Sequence, residues 1–414
     1  MFRKFWLDTI FGTIFILSLM WVFSNITQLK IFDIFDPVGE ALNDVKLTDV
    51  VYSQIREPLP VQEDILLVNI GLLPRAGIAE LTNIINRYEP KVIGMDTFFR
   101  VPKDSIGDAM LEQAFANVDN LVLVNKLIYN PATDGFDSLD VTLPRFTKNA
   151  DIAFANLIAP GAQHQDDLKN TREFAVQEQA AGETYEAFGV KLVEKYAPEK
   201  AEKFIARGND VEVINYRGNV MDFGATRYGT TFFALDFTDV FMENFDPSVV
   251  KDKIVIMCFM GSQLGDRLST DDKYYTPINA KYAGKSDADM FGGVIHANIV
   301  AMILNEDYVD RMSDKQGIIV GILILFLIVV LFSLIYKTIP TWYDGTTKLI
   351  QIVVVLFLMY LTIQVFDSFN YELDLTFTII AVAFSGDALE VYYGVIKNLL
   401  SKQGRKELTK IKKL

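Results

Sequence analysis

Two histidines, one cysteine and a set of strand-end carboxylates are the residues of this chain that could do chemistry at neutral pH. His296 lies in GGVIHANIVAMIL (292–304), surrounded by apolar and small residues, with a helix expected to begin near Gly293. An imidazole in that setting can contact a ligand, titrate as a pH sensor, or donate to a nearby carbonyl or carboxylate and pin its helix to the fold. The apolar surroundings tilt the reading toward pinning. The only other histidine, His164, sits in a polar HQDD stretch. Zinc needs more nitrogen or sulfur ligands than these, so no metal site is expected. Cys258 stands alone in KIVIMCFMG. It can form no intrachain disulfide and reads as a small buried hydrophobe.

The strand-end groups are Asp96, closing KVIGMD, and Gly261, Ser262, Gly265 and Asp266 in MGSQLGD. Ligands of parallel sheets bind beyond the carboxyl ends of the strands. The glycine-rich turn suits a small anion nest or plain turn formation. It is not a P-loop, because no Gly-Lys-Ser/Thr follows. STDDKYY (269–275) and SDAD (286–289) collect carboxylates but lack the D-x-[DN]-x-[DN]-G order, so a solvated acidic loop is expected there rather than a calcium site. Asp387 and Glu390, three apart in an apolar segment, share one helix face. They can lie at the membrane interface, pair with a Lys or Arg of a partner helix, or carry ions or protons. The candidate ligand contacts are therefore Asp96, Gly261, Ser262, Asp266, His296 and Asn298. Asp387 and Glu390 are the candidate intramembrane or partner contacts. With no G-x-S-x-G, no Ser/Lys signature and no Cys/His pairing, neither catalysis nor a cofactor is expected.

The elements that must position these residues are of two kinds. Half of the residues are hydrophobic and the mean hydropathy is +0.22, which points to a membrane. A net charge of -14 argues against a nucleic-acid partner, because phosphates recruit Lys and Arg. Residues 1–23 read as an uncleaved transmembrane anchor. Residues 317–336, 349–366 and 375–396 read as three further spans, each near the 20 or so residues that a bilayer requires. The tail 397–414 carries Lys397, Lys402, Arg405, Lys406, Lys410, Lys412 and Lys413 against Glu407. Lys337 and Lys348 flank one short linker, and the other, DSFNYELD, is acidic. Excess Lys and Arg marks the cytoplasmic side. That places both termini in the cytoplasm, residues 24–316 in the periplasm, and the chain in a bacterial inner membrane. The tail also suits anionic lipid.

Residues 24–316 alternate strand and helix. DILLVNIG (64–71), KVIGMDTFF (91–99) and NLVLVNKLI (120–128) read as strands, with helices over 79–90 and 109–118. This predicts an α/β domain with a mainly parallel sheet and helical crossovers. The polar stretch 160–210, with a helix near Tyr185–Tyr196, is expected as an excursion at the sheet edge.

EPKVIGMDTFF, INYRG, FFALDFTDVF, DKIVIMCFMGSQLGDR followed by TP, and FGGVIHANIVAMIL together resemble the CHASE2 domain, the extracytoplasmic sensory domain of bacterial transmembrane signalling proteins. The resemblance spans about residues 60–310, and the GVIHAN end is its most specific part. Two departures stand out. The first strand carries Asn69 and Gly71 where the family has an acidic Ile-Asp pair, and Pro74-Arg75 replaces a longer loop. The effector domain usual in such receptors is also not expected. The resemblance implies a non-enzymatic sensory or scaffold subunit that binds a ligand or protein outside and acts through a signalling or envelope partner. The competing expectations are a structural subunit of a secretion or motility complex, and an ion-translocating subunit using Asp387 and Glu390.

Overall fold

The computed structural model describes residues 2–27, 46–130, 132–133, 135–157, 170–220, 230–266, 268–279 and 287–397. His164, Ser286 and the tail beyond Lys397 lie outside the described residues. The chain divides into two compact units, Asn43–Val309 and a second made of Met1–Leu42 with Asp310–Leu414.

Among the described residues, four helices of the second unit are long and apolar enough to cross a membrane: α1 (Phe2–Thr27), α8 (Asp314–Thr338), α9 (Tyr343–Phe369) and α10 (Thr376–Val391, continued by a π-turn to Ile396). Apolar residues facing one another form the bundle core, among them Ile16, Leu325, Phe332, Leu358 and Leu389. Cross-helix hydrogen bonds fix its register. Gln351 Nε2 donates to the carbonyls of Val382 (3.0 Å) and Ala383 (2.7 Å), Tyr343 to that of Gly386 (3.1 Å), and Tyr393 to Ser333 Oγ (2.9 Å). In hydrocarbon a polar group has no water to turn to, so partners on a neighbouring helix set the packing.

The α/β unit contains, in order, β1 (Gln62–Asn69), α2 (Arg75–Asn86), β2 (Val92–Asp96), α3 (Ser105–Ala116), β3 (Leu121–Asn130), β4 (Gly135–Asp140) and β5 (Ala150–Phe154). Then come α4 (Phe188–Tyr196), α5 (Pro198–Ile205), β6 (Phe232–Asp236), α6 (Phe237–Phe241), β7 (Ile254–Cys258) and α7 (Gly292–Asn305). The sheet order is β6-β1-β7-β2-β3, and β3 pairs with both β4 and β5. All these pairings are parallel except β3–β4. The strands are near-continuous apolar runs because helices cover both faces. On one face Leu66, Val68, Ile93, Met95, Val255 and Met257 pack with the apolar stripes of α2 and α3.

The other face carries α4 and α7. Gly94 of β2 makes room for α4: a Cβ there would lie 2.7 Å from both Phe188 and Leu192. The 160–210 stretch is therefore not simply an edge excursion. Its helix covers the sheet, a placement that a polar amphipathic segment conceals because only its apolar stripe, Phe188, Val190, Leu192 and Val193, faces inward. Residues 185–186, read as the start of that helix, instead belong to a strand, 183–186, that pairs with 177–180. Helix α7 is buried from Gly292 to Leu304. A helix enclosed on all sides is apolar all round, so this stretch shows almost no polar face.

Candidate functional site

The parallel strands end together on one side, and the helix that follows β7 begins there. Cys258 closes β7 in register with Asp96, which closes β2. The N-terminus of α7 rests on this pair: a Cβ on Gly293 would lie 2.3 Å from Cys258 Sγ and 3.7 Å from an Asp96 carboxylate oxygen. Only glycine permits that approach. Gly94 and Gly293 thus bring α4 down onto β2 and α7 onto the paired carboxyl ends of β7 and β2.

A small cavity of about 50 Å³ lies at this point, lined by residues that include Asp96, Lys126, Asn156, Asp272, Tyr274 and His296. Lys126 comes from β3. Asn156 follows β5 and is tied to the backbone, accepting from Leu127 N (2.7 Å) and donating to Leu127 O (3.0 Å). Asp272 belongs to a turn whose strand, Lys273–Tyr274, pairs antiparallel with Met290–Phe291 just before α7. Asp272 is exposed as a residue, yet its carboxylate folds back over Gly292, where a Cβ would sit 3.0 and 3.1 Å from its oxygens.

Burial sets the electrostatics. It pushes the Asp96 carboxyl well above the ordinary range, and the Asp272 charge adds to this. Asp272 itself is raised to about 7 by desolvation, against the lowering effect of the Tyr274 hydroxyl and the Gly292 N–H. His296 is only 2% exposed, and burial holds it down to about 4, so the ring is neutral near pH 7. The Ala155 backbone hydrogen-bonds the ring, and Phe188 packs edge-on against it with centroids 5.2 Å apart. His296 therefore does pin α7 to β5 and α4. Its Nδ1, however, is buried without a hydrogen-bond partner. Buried polar atoms are nearly always satisfied, and an unpartnered one asks for a ligand or water. Cys258 is fully buried, and burial raises its thiol, so it is packed rather than reactive.

Of the residues singled out by sequence, Asp96 and His296 meet in this cavity. The others are engaged elsewhere. Gly261 has φ +95 in the turn after β7. Asp266 closes that turn, accepting from Ser262 Oγ (2.7 Å) and from the backbone N–H groups of Leu268 (3.0 Å) and Ser269 (3.3 Å). Asn298 is fully buried and spent on backbone: Oδ1 accepts from Arg217 N (2.8 Å) and Gly218 N (3.3 Å), while Nδ2 donates to Gly218 O (3.0 Å) and Val294 O (2.9 Å). The INYRG and GVIHAN motifs are thus the two halves of one lock. Asp289 of SDAD holds the TP turn through Thr276 N (2.9 Å) and Thr276 Oγ1 (2.5 Å). It is buried there, so this part of the loop is structural rather than solvated. Asn69, the departure in β1, staples strand ends: it accepts from Met260 N (2.8 Å) and Gly71 N (3.1 Å), and donates to Gly261 O (3.2 Å) and Asp236 (3.3 Å).

In the helical unit Lys348 of α9 pairs with Asp387 (2.6 Å), and Asp8 with Lys397 (2.6 Å) and Lys337 (3.5 Å). Asp387 thus finds its lysine inside its own chain. Glu390 is exposed one turn further on.

Sequence reasoning missed Lys126 and Asp272 as site residues. Lys126 had a signal, a lone charge near the end of an apolar strand. Asp272 had none, because its neighbours are acidic too, and the hairpin that turns it inward pairs residues far apart in sequence. Among the described residues no group of three or more His, Cys, Asp or Glu is placed to hold a metal ion.

A family model described as the CHASE2 domain matches residues 13–333. Comparison with curated proteins and with solved structures gives no match.

Proposed function

Because the chain belongs to the CHASE2 family of sensory domains, we propose that it is a non-enzymatic sensory subunit of a bacterial inner membrane. Its α/β unit binds a small ligand at the carboxyl ends of β2, β3 and β5, and the helical unit passes the state to a partner protein. The observation that carries the ligand site is His296, which lines the same cavity as Asp96 and whose buried Nδ1 has no partner.

The membrane arrangement of this reading follows the charged ends. Asp8, Lys337, Lys348, Asp387 and Lys397 gather where α1 and α9 begin and α8 and α10 end. The acidic linker with Asp367, Glu372 and Asp374 lies at the other end. A lysine-rich end belongs on the cytoplasmic side, so the α/β unit faces the periplasm. In this reading Asp387 serves as an interfacial ion pair with Lys348. In a Cys258→Ala background, Ser368→Cys should react with a membrane-impermeant maleimide added outside spheroplasts; protection from outside and reaction only after lysis would invert the orientation.

The sensing site is tested by thermal protection of the detergent-solubilised chain across a panel of small metabolites. A compound that binds only the folded state raises the midpoint by mass action. His296→Phe keeps the ring packing and removes Nδ1. Protection of the wild type that is weakened in His296→Phe supports the site. Equal protection of both, or none across the panel, overturns it. Extraction in mild detergent with mass spectrometry of stoichiometric partners tests the rest: a partner with a cytoplasmic signalling domain is expected, and a set of envelope proteins alone would make the chain a structural subunit instead.

A further inference from the structure

The groups facing the cavity are unequal in kind, and the inequality points to a ligand class. Acceptors dominate: the carboxyl groups of Asp96 and Asp272 line the cavity, and His296, which also lines it, carries an Nδ1 without a partner. His296 is neutral and its other nitrogen is engaged at Ala155, so the ring can only accept there. Among the described residues no group donates to the Asp96 carboxylate. Asn156 and the Tyr274 hydroxyl are already engaged, the latter with Asp272 (3.3 Å). The charged donor lining the cavity is the Lys126 ammonium, which forms no ion pair among the described residues.

Resting on the sensing site proposed above, we infer that the cavity takes the ammonium group of a small amino compound, held by the carboxylates of Asp96 and Asp272, with His296 Nδ1 accepting from the same molecule. An anion would sit between two carboxylates. The N-terminus of α7 attracts anions with only about half a unit charge, and Lys126 adds one. Burial holds a proton on the Asp96 carboxyl, so the choice of an ammonium over an anion rests on the excess of acceptor atoms lining the cavity rather than on net charge. A bare metal ion is disfavoured because the three acceptors are too dispersed to surround one centre. A molecule with several N–H groups spans them. Lys126 is then free to pair with a carboxylate at the ligand's other end, so an α-amino acid fits better than a simple amine. Size limits the enclosed part. With about 10–15 Å³ needed per water-sized centre, a cavity of about 50 Å³ encloses about four non-hydrogen atoms. Glycine and alanine are of that order, and a longer side chain must extend toward the exposed Asp272 rim. The proton that burial holds on the Asp96 carboxyl in the empty site leaves to solvent when the ammonium enters.

The chain contains two histidines, so labelling the imidazoles with ¹⁵N gives a nearly unencumbered view of Nδ1. The full-length protein in lipid bilayers is titrated with methylammonium, glycine and acetate, in the wild type and in Asp96→Asn. Burial of the Cys258 thiol confirms that the variant is folded. The expected result is that methylammonium and glycine move the His296 Nδ1 signal, glycine at lower concentration, acetate not at all, and that Asp96→Asn weakens the response at least tenfold. An unchanged response in folded Asp96→Asn overturns the inference. Acetate moving Nδ1 while methylammonium does not also overturns it, but leaves the sensing site standing. Silence from all three probes ends the ammonium class, and the metabolite panel then decides the sensing site separately.

Discussion

Replacing Asn298 by alanine separates a lock from a ligand contact. In the structure its side chain satisfies four backbone groups and is fully buried. Alanine leaves the N–H groups of Arg217 and Gly218 buried without an acceptor. Each orphaned group costs about 1–3 kcal/mol. The Gly218 contact is long at 3.3 Å and counts at the low end, so the sum is roughly 2–4 kcal/mol. For a domain this large a kcal/mol moves the midpoint by about 2–4 °C, which predicts a drop near 10 °C. Tryptophan emission would report on the wrong part of the chain, because Trp6, Trp21 and Trp342 all belong to the helical unit. Cys258 is the only cysteine and is fully buried in the α/β unit. A thiol-reactive fluorophore that lights up on labelling therefore reads the melting of the right unit in detergent. Asn298→Asp should also be destabilising, since a carboxylate cannot donate to the Gly218 and Val294 carbonyls and is buried as a charge. Midpoints within about 2 °C of wild type for both variants would refute the lock and return Asn298 to the list of ligand contacts.

Three further outcomes are expected. Gly293→Ala places a methyl 2.3 Å from Cys258 Sγ and 2.5 Å from its Cβ; overpacking of this kind costs about 1–3 kcal/mol, and Cys258→Gly in the same chain should recover part of it in a protease-resistance melt. Arg75 and Asp108 form a buried ion pair, with Arg75 also donating to Val101 O (2.6 Å). Removing one partner strands the other charge, so Arg75→Met should melt lower than Arg75→Met with Asp108→Leu; the reverse order would contradict a coupled pair. The third concerns pH. Asp272 is raised to about 7 in the fold, so between about pH 4 and 7 the folded chain holds a proton that the unfolded chain has released. Its contribution to stability is therefore lost as pH rises through that window. Asp289, raised to about 6 by burial, acts in the same direction but is finished earlier. His296, lowered to about 4, acts oppositely and adds stability as pH rises up to about 6.5, where the unfolded imidazole loses its proton. Above that point the decline rests on Asp272 and the Asp96 coupled to it, so Asp272→Asn should flatten the midpoint-against-pH curve between pH 6.5 and 7.5, and an unaltered slope would contradict the assignment.

Most of the sheet was legible because its strands are apolar runs of the right length, and the spacing between them leaves room only for helical crossovers. The helix starts were less so. Expected at 79 and 109, they begin at Arg75 and Ser105, because Pro74 and the Asp104 side chain, which accepts from Gly107 N, end the preceding loops. Apolar periodicity marks only the packed part of a helix, and the first turn is set by its cap. The position of β7 between β1 and β2 had no local signal. It depends on pairing across nearly the whole unit, with Ile65–Asn69 against Ile254–Cys258.

The same distinction explains the site. Residues that stand out in a sequence are polar side chains in apolar runs, and in this fold most of them are occupied by backbone: Asn69, Asp236, Asp266, Asp289 and Asn298 each accept from N–H groups of segments far away or just beyond a turn. Such residues are indispensable to the fold and unavailable to a ligand. The informative quantity is the hydrogen-bonding capacity left over once backbone demands are met, and that quantity needs coordinates. By this measure the departure at Asn69 leaves the ligand site untouched, because its four partners are all internal. At this cavity the capacity that remains belongs to Asp96, Asp272, Lys126 and His296, on four elements that converge because Gly94 and Gly293 have no side chain to hold the helices off.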